Sequence, residues 1–255
     1  MNLIDTHSHL YLEKFENDLS EVISRAKVND LSKILLPNID VDSVSQIHDL
    51  QKKDSNFFIP MMGLHPTSVD LNFQKSLDFI LKETHLKDIC AIGEIGLDFY
   101  WSKDFKTQQI EAFEYQIDFA KKLNLPIAIH CREAFDDILA ILEKNYDSKL
   151  KGVLHCFTGN ETHAKRLIAM GFYLGIGGVL TYKNSGLDKV IKDIDLKHLV
   201  LETDAPFLAP APYRGKRNES SYILKIAEKL AEIKEVSLEE IAEITTANAT
   251  ALFNL

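Results

Sequence analysis

Short runs of consecutive apolar residues alternate along this chain with segments in which apolar residues recur every three or four positions. The continuous runs predict strands buried on both faces, at residues 2–9, 34–36, 57–63, 89–94, 126–130, 152–155, 172–176 and 199–204. The periodic segments predict helices at residues 17–29, 40–53, 72–84, 108–123, 133–145, 162–170, 187–193, 219–233 and 237–252. Strands and helices therefore alternate from one end of the chain to the other.

This alternation predicts an α/β protein built on a parallel sheet whose two faces are covered by helices. Eight strand and helix units within 255 residues fit a closed TIM-type (β/α)8 barrel. We expect one domain over residues 1–255, because the sequence shows no linker, low-complexity segment or repeat beyond the unit itself.

Six side chains with metal-binding chemistry stand at the ends of the predicted strands. Glu94 closes the apolar run that starts at Ile89, where a carboxylate is costly to bury without a cation or a donor. The other five are His7, His9, His130, His155 and Asp204. His7 and His9 are one residue apart, so an extended strand directs both imidazoles to the same side. The C-terminal strand ends of a (β/α)8 barrel line one mouth, which predicts that all six groups converge there.

This convergence predicts a metal centre. A lone histidine is more often a hydrogen-bonded core residue or a surface group than a ligand, but six desolvated polar groups together destabilise a fold unless a cation is present. Imidazole and carboxylate ligands suit divalent zinc, manganese or magnesium. Six groups exceed one tetrahedral ion, so we predict two ions bridged by Glu94, with His7, His9 and Asp204 on one and His130 and His155 on the other. Such a pair activates a water molecule, and Asp204 is the candidate that takes its proton.

The predicted substrate contacts are basic or aromatic residues near the strand ends. Arg214, Lys216 and Arg217 form a cationic loop after the last strand, which is either a solvated charge run or a phosphate-binding loop. Its place beside the predicted metals favours phosphate contact, and Arg132 extends that surface if its strand continues. His65 either binds a phosphate or braces a loop. Tyr100 and Trp101 either stack on a base or pack beneath a loop.

Composition narrows the function classes. A net charge of -9 argues against broad coating of nucleic acid but permits a local phosphate pocket. The three cysteines lack CxxC spacing and sit in apolar runs, which favours buried reduced thiols. No apolar run approaches the roughly 20 residues that span a bilayer, and no signal peptide is evident. We expect a cytoplasmic protein without membrane contact or an obligate protein partner.

The chain resembles the TatD-type metal-dependent deoxyribonucleases of the amidohydrolase superfamily over nearly its whole length. The matching segments are residues 5–9, 63–66, 93–98, 125–130, 155–159, 202–206 and 214–218. The resemblance implies a TIM-type barrel, hydrolysis of phosphodiester bonds in DNA, and divalent metals at the positions of His7, His9, Glu94, His130, His155 and Asp204. Ser220 stands where the family pattern has proline, which we expect to loosen the start of the following helix.

The resulting hypothesis is a metal-dependent phosphodiesterase that removes nucleotides from single-stranded or frayed DNA ends, with DNA as its substrate partner. A rival is a hydrolase of the same superfamily that cleaves a small amide, lactone or phosphoester. A third possibility is a catalytically silent scaffold that binds a partner through the barrel exterior, against which the full set of ligand residue types argues.

Overall fold

The structure is a computed structural model that describes residues 1–83, 89–101 and 103–255. Its strands are β1 Leu3–Asp5, β2 Leu31–Leu36, β3 Phe58–Met62, β4 Ala91–Asp98, β5 Ile127–Arg132, β6 Gly152–Leu154, β7 Tyr173–Ile176 and β8 Leu199–Leu201. Its helices are α1 Leu19–Val28, α2 Val41–Gln51, α3 Phe73–Glu83, α4 Lys106–Leu123, α5 Phe135–Asn145, α6 Glu161–Ala169, α7 Leu187–Lys192, α8 Ile223–Lys234 and α9 Leu238–Phe253.

The eight strands form one parallel sheet in sequence order, from β1 to β8. The first and last strands, β1 and β8, lie next to each other. The Thr6 N–H donates to the Leu201 carbonyl at 3.1 Å, and the Asp204 N–H donates to the His7 carbonyl at 2.9 Å. The predicted TIM-type (β/α)8 fold is thereby confirmed, and β1 and β8 lie side by side.

Two apolar clusters stabilise the barrel. The larger one fills the space between the strands and the surrounding helices. The smaller one lies inside the barrel, where residues such as Leu35, Met61 and Val200 pack against Leu252 and Phe253 of α9. The last helix therefore closes one end of the barrel, and the other end is left to the loops that follow the strands.

Strand β4 runs further than the sequence predicts. Glu94 lies in its middle rather than at its end, because the strand continues to Asp98. The pairing with β5 shifts register between Ile92 and Ile95. Gly96 lies so close to β5 that a Cβ atom there would stand 2.1 Å from the His130 carbonyl oxygen, and its φ is +138°. Glycine at this position therefore allows β4 to continue beside His130.

The helix predicted at residues 219–233 begins later, since a 3-10 turn, Ser220–Tyr222, precedes α8. The Ser220 hydroxyl is buried and lies 3.2 Å from that of Ser8. Residue 84, the last of the helix predicted at 72–84, lies outside the described residues. Among the described residues, no helix is both long enough and apolar enough to cross a membrane.

Candidate active site

The junction of β1 and β8 positions His7, His9 and Asp204. The His9 N–H donates to the Ala205 carbonyl at 2.7 Å, one step beyond the pairing of Asp204 with His7. Beneath them, the buried Asp5 carboxylate accepts the Thr203 N–H at 2.9 Å and the Thr203 hydroxyl at 2.6 Å. Burial raises the pKa of Asp5 to about 7. Backbone pairing therefore fixes three side chains from opposite ends of the sequence in one place.

One oxygen of the Glu94 carboxylate faces three imidazoles. Oε1 lies 2.9 Å from His130 Nδ1, 3.0 Å from His155 Nε2 and 3.3 Å from His65 Nε2. The structure thus brings together Glu94, His130 and His155, as the sequence predicts. It adds His65, which sequence reasoning assigned only to a phosphate or a loop.

The other oxygen of Glu94 faces the N-terminal histidine pair. Oε2 lies 3.1 Å from His7 Nε2 and 3.5 Å from His9 Nε2. His9 Nε2 also lies 3.5 Å from Oδ1 of Asp204. The two carboxylate oxygens therefore face separate sets of imidazoles, which is the arrangement a bridging carboxylate requires.

Charge in this cluster is distributed unevenly. Burial alone would raise the pKa of Glu94, but His65, His155 and His7 hold it well below its usual value. Burial, with the neighbouring His155, lowers the pKa of His7. Burial also opposes protonation of His155, yet Glu94 and Glu202 raise its pKa well above the usual value. Protons alone therefore leave some imidazoles charged and others neutral around one carboxylate.

His130 and His155 each stand between two carboxylates. His130 contacts Glu94 through Nδ1 at 2.9 Å and Asp98 Oδ2 through Nε2 at 2.9 Å. His155 has Glu94 at Nε2 and Oε1 of Glu202 3.4 Å from Nδ1. An imidazole satisfies two carboxylates only if both nitrogens are protonated or if a cation replaces the proton on one side. The carboxylate behind each ring is the outer partner that metal-binding histidines use.

Tyr11 performs the same task for His9. The Tyr11 hydroxyl donates to the Pro37 carbonyl at 2.6 Å, so its oxygen is left to accept from His9 Nδ1 at 2.8 Å. The proton of a neutral His9 is thereby assigned to Nδ1. Its Nε2 lone pair then faces Glu94 and Asp204.

These donors fit divalent metal ions. Three sets of ligand atoms lie within 4.8 Å of one another: His7, His9 and Glu94; His65, Glu94 and His130; and His7, His155 and Asp204. All are imidazole nitrogens or carboxylate oxygens, the ligands of zinc and other first-row divalent ions. His7 Nδ1 and His155 Nδ1 are buried without a hydrogen bond among the described residues, and Glu202 at 3.4 Å approaches His155 Nδ1 as an ion-pair contact only.

A cavity of about 650 Å³ opens above this cluster. His9, His65, Glu94, His130, His155 and Asp204 line it, together with Arg132, Trp101, Phe207 and Leu208. Arg132 is the last residue of β5, so the strand extends as far as the sequence analysis required. Among the described residues that line the cavity, Arg132 is the only lysine or arginine.

The cationic loop lies elsewhere. Arg217 forms a two-pronged ion pair with Asp18, at 2.7 and 2.6 Å, and also donates to the Lys14 carbonyl. The Arg214 guanidinium lies 4.5 Å from the centre of the Tyr182 ring. Lys216 is exposed. Arg214, Lys216 and Arg217 are not among the described residues that line the cavity.

Comparison with known proteins agrees with this geometry. The sequence profile of the TatD related DNase family matches residues 4–254. This chain belongs to that family. It is 41% identical over 254 residues to the uncharacterized metal-dependent hydrolase YabD of Bacillus subtilis, with 99% of each chain covered. It is 33% identical to the uncharacterized metal-dependent hydrolase YcfH of Escherichia coli, covering all of this chain and 97% of the relative.

The TatD fold is also found among solved structures. The TatD homolog YJJV of Escherichia coli superimposes with a TM-score of 0.89 at 28% identity, covering 99% of this chain and 98% of the other. The family and the buried donor set together make this TatD protein a metal-dependent hydrolase.

Sequence reasoning missed the residues that orient the histidines, namely Tyr11, Asp98 and Glu202. A signal existed for Asp98, because Glu94 and Asp98 are four residues apart and a strand directs both to the same side. Glu202 lies in the same matching segment as Asp204. No pattern signalled Tyr11, whose partner Pro37 is 26 residues away.

Proposed function

We propose that this TatD protein hydrolyses phosphodiester bonds in DNA and removes nucleotides from single-stranded or frayed ends. The observation that carries the proposal is that the two oxygens of Glu94 face two separate sets of imidazoles. This geometry supports a pair of divalent ions at the base of an open cavity. The family description as DNase supports DNA as the substrate.

Six residues would hold the ions, and one of them would also accept a proton. His7, His9 and Asp204 would hold one ion, His130 and His155 the other, and Glu94 both. Such ions lower the pKa of water and neutralise charge on the attacking and leaving oxygens. Burial raises the pKa of Asp204, but the surrounding histidines lower it overall, so the carboxylate is ionised at neutral pH. Asp204 is therefore the carboxylate that would accept the proton of the attacking water.

His65 and Arg132 are the cavity residues proposed to bind the phosphate. Both line the cavity beside Glu94. A guanidinium can donate two parallel hydrogen bonds to two oxygens of one phosphate. A cavity of about 650 Å³ has the size of sites that enclose one small ligand. The cavity therefore suits the end of a DNA strand better than the middle of a DNA duplex.

The proposal is tested with purified protein and oligonucleotides labelled at the 5′ or the 3′ end. We expect chelation to abolish hydrolysis and added magnesium, manganese or zinc to restore it. Glu94→Gln should reduce the rate at least about 100-fold, since the shared carboxylate is removed. Glu232→Gln, at an exposed carboxylate, is the matched control. Hydrolysis that survives thorough chelation would contradict the proposal.

The rival function is hydrolysis of a small phosphoester, amide or lactone at the same centre. It is favoured by one observation, namely that Arg214, Lys216 and Arg217 stay outside the described cavity lining. Small substrates of the three kinds in the same assay distinguish the two. Turnover of one of them alongside inert DNA would establish the rival.

A further inference from the structure

Two aromatic side chains stand exposed at the mouth of the cavity. The exposed fraction is 69% for Trp101 and 51% for Tyr100. Trp101 is the single tryptophan of the chain and lines the cavity. Large aromatic rings gain most from burial, so a ring left this open beside a reaction centre suits a ligand that covers it. These exposures also show that neither ring is packed beneath a loop.

The turn that carries Tyr100 and Trp101, called the aromatic turn below, is connected directly to the histidines around Glu94. Oδ1 of Asp98 accepts the backbone N–H groups of Tyr100 at 3.0 Å and Trp101 at 3.2 Å. Oδ2 of the same carboxylate contacts His130 at 2.9 Å. One side chain therefore sets both the orientation of His130 and the position of the aromatic turn relative to it.

Arg132 connects the aromatic turn to the proposed phosphate position. Its guanidinium lies 3.7 Å from the centre of the Tyr100 ring and 5.3 Å from that of Trp101. A cation stacked on aromatic rings at the edge of a cavity is the combination that single-stranded nucleic acid uses, with a base on the ring and a phosphate on the cation.

A second apolar wall lies on the other side of the mouth. Phe207 and Leu208 are 42% and 40% exposed and line the same cavity. They follow β8, whereas Trp101 follows β4, and these strands are four apart in the eight-stranded barrel. The Phe207 N–H donates to the Asp204 carbonyl at 2.8 Å, so this wall too is connected to a proposed ligand.

We propose that Trp101, with Tyr100 and Arg132, forms a stacking subsite for one unpaired nucleobase of the substrate, beside the phosphate that is cleaved. The inference rests on the proposed function and adds the part of the substrate that this rim recognises. Stacking is indifferent to base identity, so the subsite selects an unpaired base without selecting a sequence. A paired base in a duplex has both faces covered and cannot occupy it.

The first test uses the single tryptophan as a reporter. The metal-loaded protein is titrated with a phosphorothioate-linked single-stranded pentamer of deoxyadenosine, and with the same backbone carrying abasic residues throughout. We expect the adenine pentamer to quench the Trp101 emission and the abasic pentamer to leave it unchanged. Equal responses to both pentamers would overturn the subsite, whether or not the protein cleaves DNA.

The second test compares kcat/KM on base-bearing and abasic phosphodiester pentamers. We expect Trp101→Ala to reduce the ratio of the two values about 5- to 150-fold, which corresponds to the loss of one base stacked on an aromatic ring. Trp101→Phe should recover part of that ratio. Tyr146→Ala removes an aromatic ring that is 51% exposed and is not among the described cavity residues, and should keep the wild-type ratio.

The outcomes separate the subsite from the nuclease proposal. If the wild-type protein cleaves both pentamers and Trp101→Ala keeps the wild-type ratio, the subsite is refuted and the nuclease stands. If the wild-type protein cleaves neither pentamer, the nuclease proposal fails, and base-dependent quenching alone then decides the subsite. Circular dichroism of each variant checks that the exposed substitutions leave the fold intact.

Discussion

Three of the five histidines around Glu94 have a tyrosine or carboxylate oxygen at the ring nitrogen that faces away from it. Tyr11 stands behind His9, Asp98 behind His130, and Glu202 behind His155. Each oxygen favours a proton on the far nitrogen, which leaves the near nitrogen free to bind a cation. The Cys156 N–H donates to the Glu202 carboxylate and helps to hold it in place.

His7 is the exception among these rings. Its buried Nδ1 has neither a hydrogen-bond partner nor a carboxylate contact among the described residues, and its ring stacks on that of His155 with centroids 3.8 Å apart. Packing on His155 and the Nε2 contact with Glu94 at 3.1 Å, rather than a hydrogen bond at Nδ1, therefore set its orientation. The Tyr11 contact offers the cleanest test of orientation, because one hydroxyl can be removed without changing the ring.

We predict that Tyr11→Phe weakens binding of zinc or manganese about 10- to 100-fold, because His9 Nδ1 loses the acceptor that fixes its proton. The affinity is measured by calorimetric titration of metal-free protein. The melting temperature without metal should change little by comparison. Tyr115→Phe, at a tyrosine that is 42% exposed, provides the control. An unchanged affinity would show that Tyr11 does not orient His9.

At this scale the sequence indicates ligands better than their partners. Glu94 and the four predicted histidine ligands are recognisable because each stands at the end of an apolar run and has a side chain of metal-binding type. Their convergence on Glu94 agrees with that reasoning, whereas their roles as ligands stay a proposal. The contact between Tyr11 and His9 depends on side-chain rotation and on a carbonyl from another loop, which no periodicity encodes.

At the scale of elements, the loop that carries Arg214, Lys216 and Arg217 helps to hold α1 against the segment before α8. Arg217 pairs with Asp18 next to α1, and Arg25 of α1 pairs with Glu219 at 2.8 and 2.7 Å. Two ion pairs thus connect α1 to the segment before α8. The sequence showed a cluster of cations but not its counter-ions, because Asp18 is 199 residues away from Arg217.

We predict that Arg217→Ala reduces the free energy of unfolding by at most about 1 kcal/mol, because solvent screens a pair whose side chains are 31% and 37% exposed. The bond from Arg217 lowers the pKa of Asp18. The contribution is therefore present above the usual Asp pKa of 3.8 and disappears as the pH falls through the lowered value. Denaturant unfolding of both proteins at neutral and acidic pH measures it.

The contrast within the loop supplies the control. Arg214 has no ion pair among the described residues, and its guanidinium lies against the Tyr182 ring. Arg214→Ala should leave the pH dependence of unfolding at its wild-type form. A difference between wild-type and Arg217→Ala protein that persists undiminished in acid would show that the Asp18 pair is not its source.

Element boundaries followed the sequence where apolar periodicity was strong. Helix α4 was expected at 108–123 and spans Lys106–Leu123, and α9 was expected at 237–252 and spans Leu238–Phe253. Strand β4 departs most, because its extension past Glu94 depends on close pairing at Gly96 with β5. Such a contact between two strands becomes visible only when both are placed.

At the scale of the whole molecule, barrel closure is what turns a dispersed set of residues into a site. His7 and Asp204 belong to the first and last strands, and their backbones pair directly at 2.9 Å. The sequence could predict that strand ends share one mouth, since this is a property of the fold. It could not predict which oxygen of Glu94 faces which histidine, because that depends on strand tilt and register.

The same closure gathers a cluster of buried polar groups around Glu94, with consequences for stability. Glu94, His7, His9 and His155 lose nearly all contact with water in the folded state, whereas the His130 side chain stays 17% exposed and Asp204 retains little. A cation that binds this cluster only in the folded protein adds stability that grows with the logarithm of its concentration over its dissociation constant. Metal content and the melting temperature should therefore vary together.

We predict that removing metal with a chelator lowers the melting temperature by roughly 10 °C. At a thousandfold excess over the dissociation constant the stabilisation is about 4 kcal/mol, and each kcal/mol shifts a domain of this size by about 2 to 4 °C. Calorimetric melting of chelated protein, before and after addition of zinc or manganese, measures the shift. Glu94→Gln should lose most of it, whereas Glu232→Gln, at an exposed position, should keep it. Identical melting curves with and without metal would contradict binding at the Glu94 cluster. An ion held there by groups from both ends of the chain stabilises the folded protein and must raise the melting temperature.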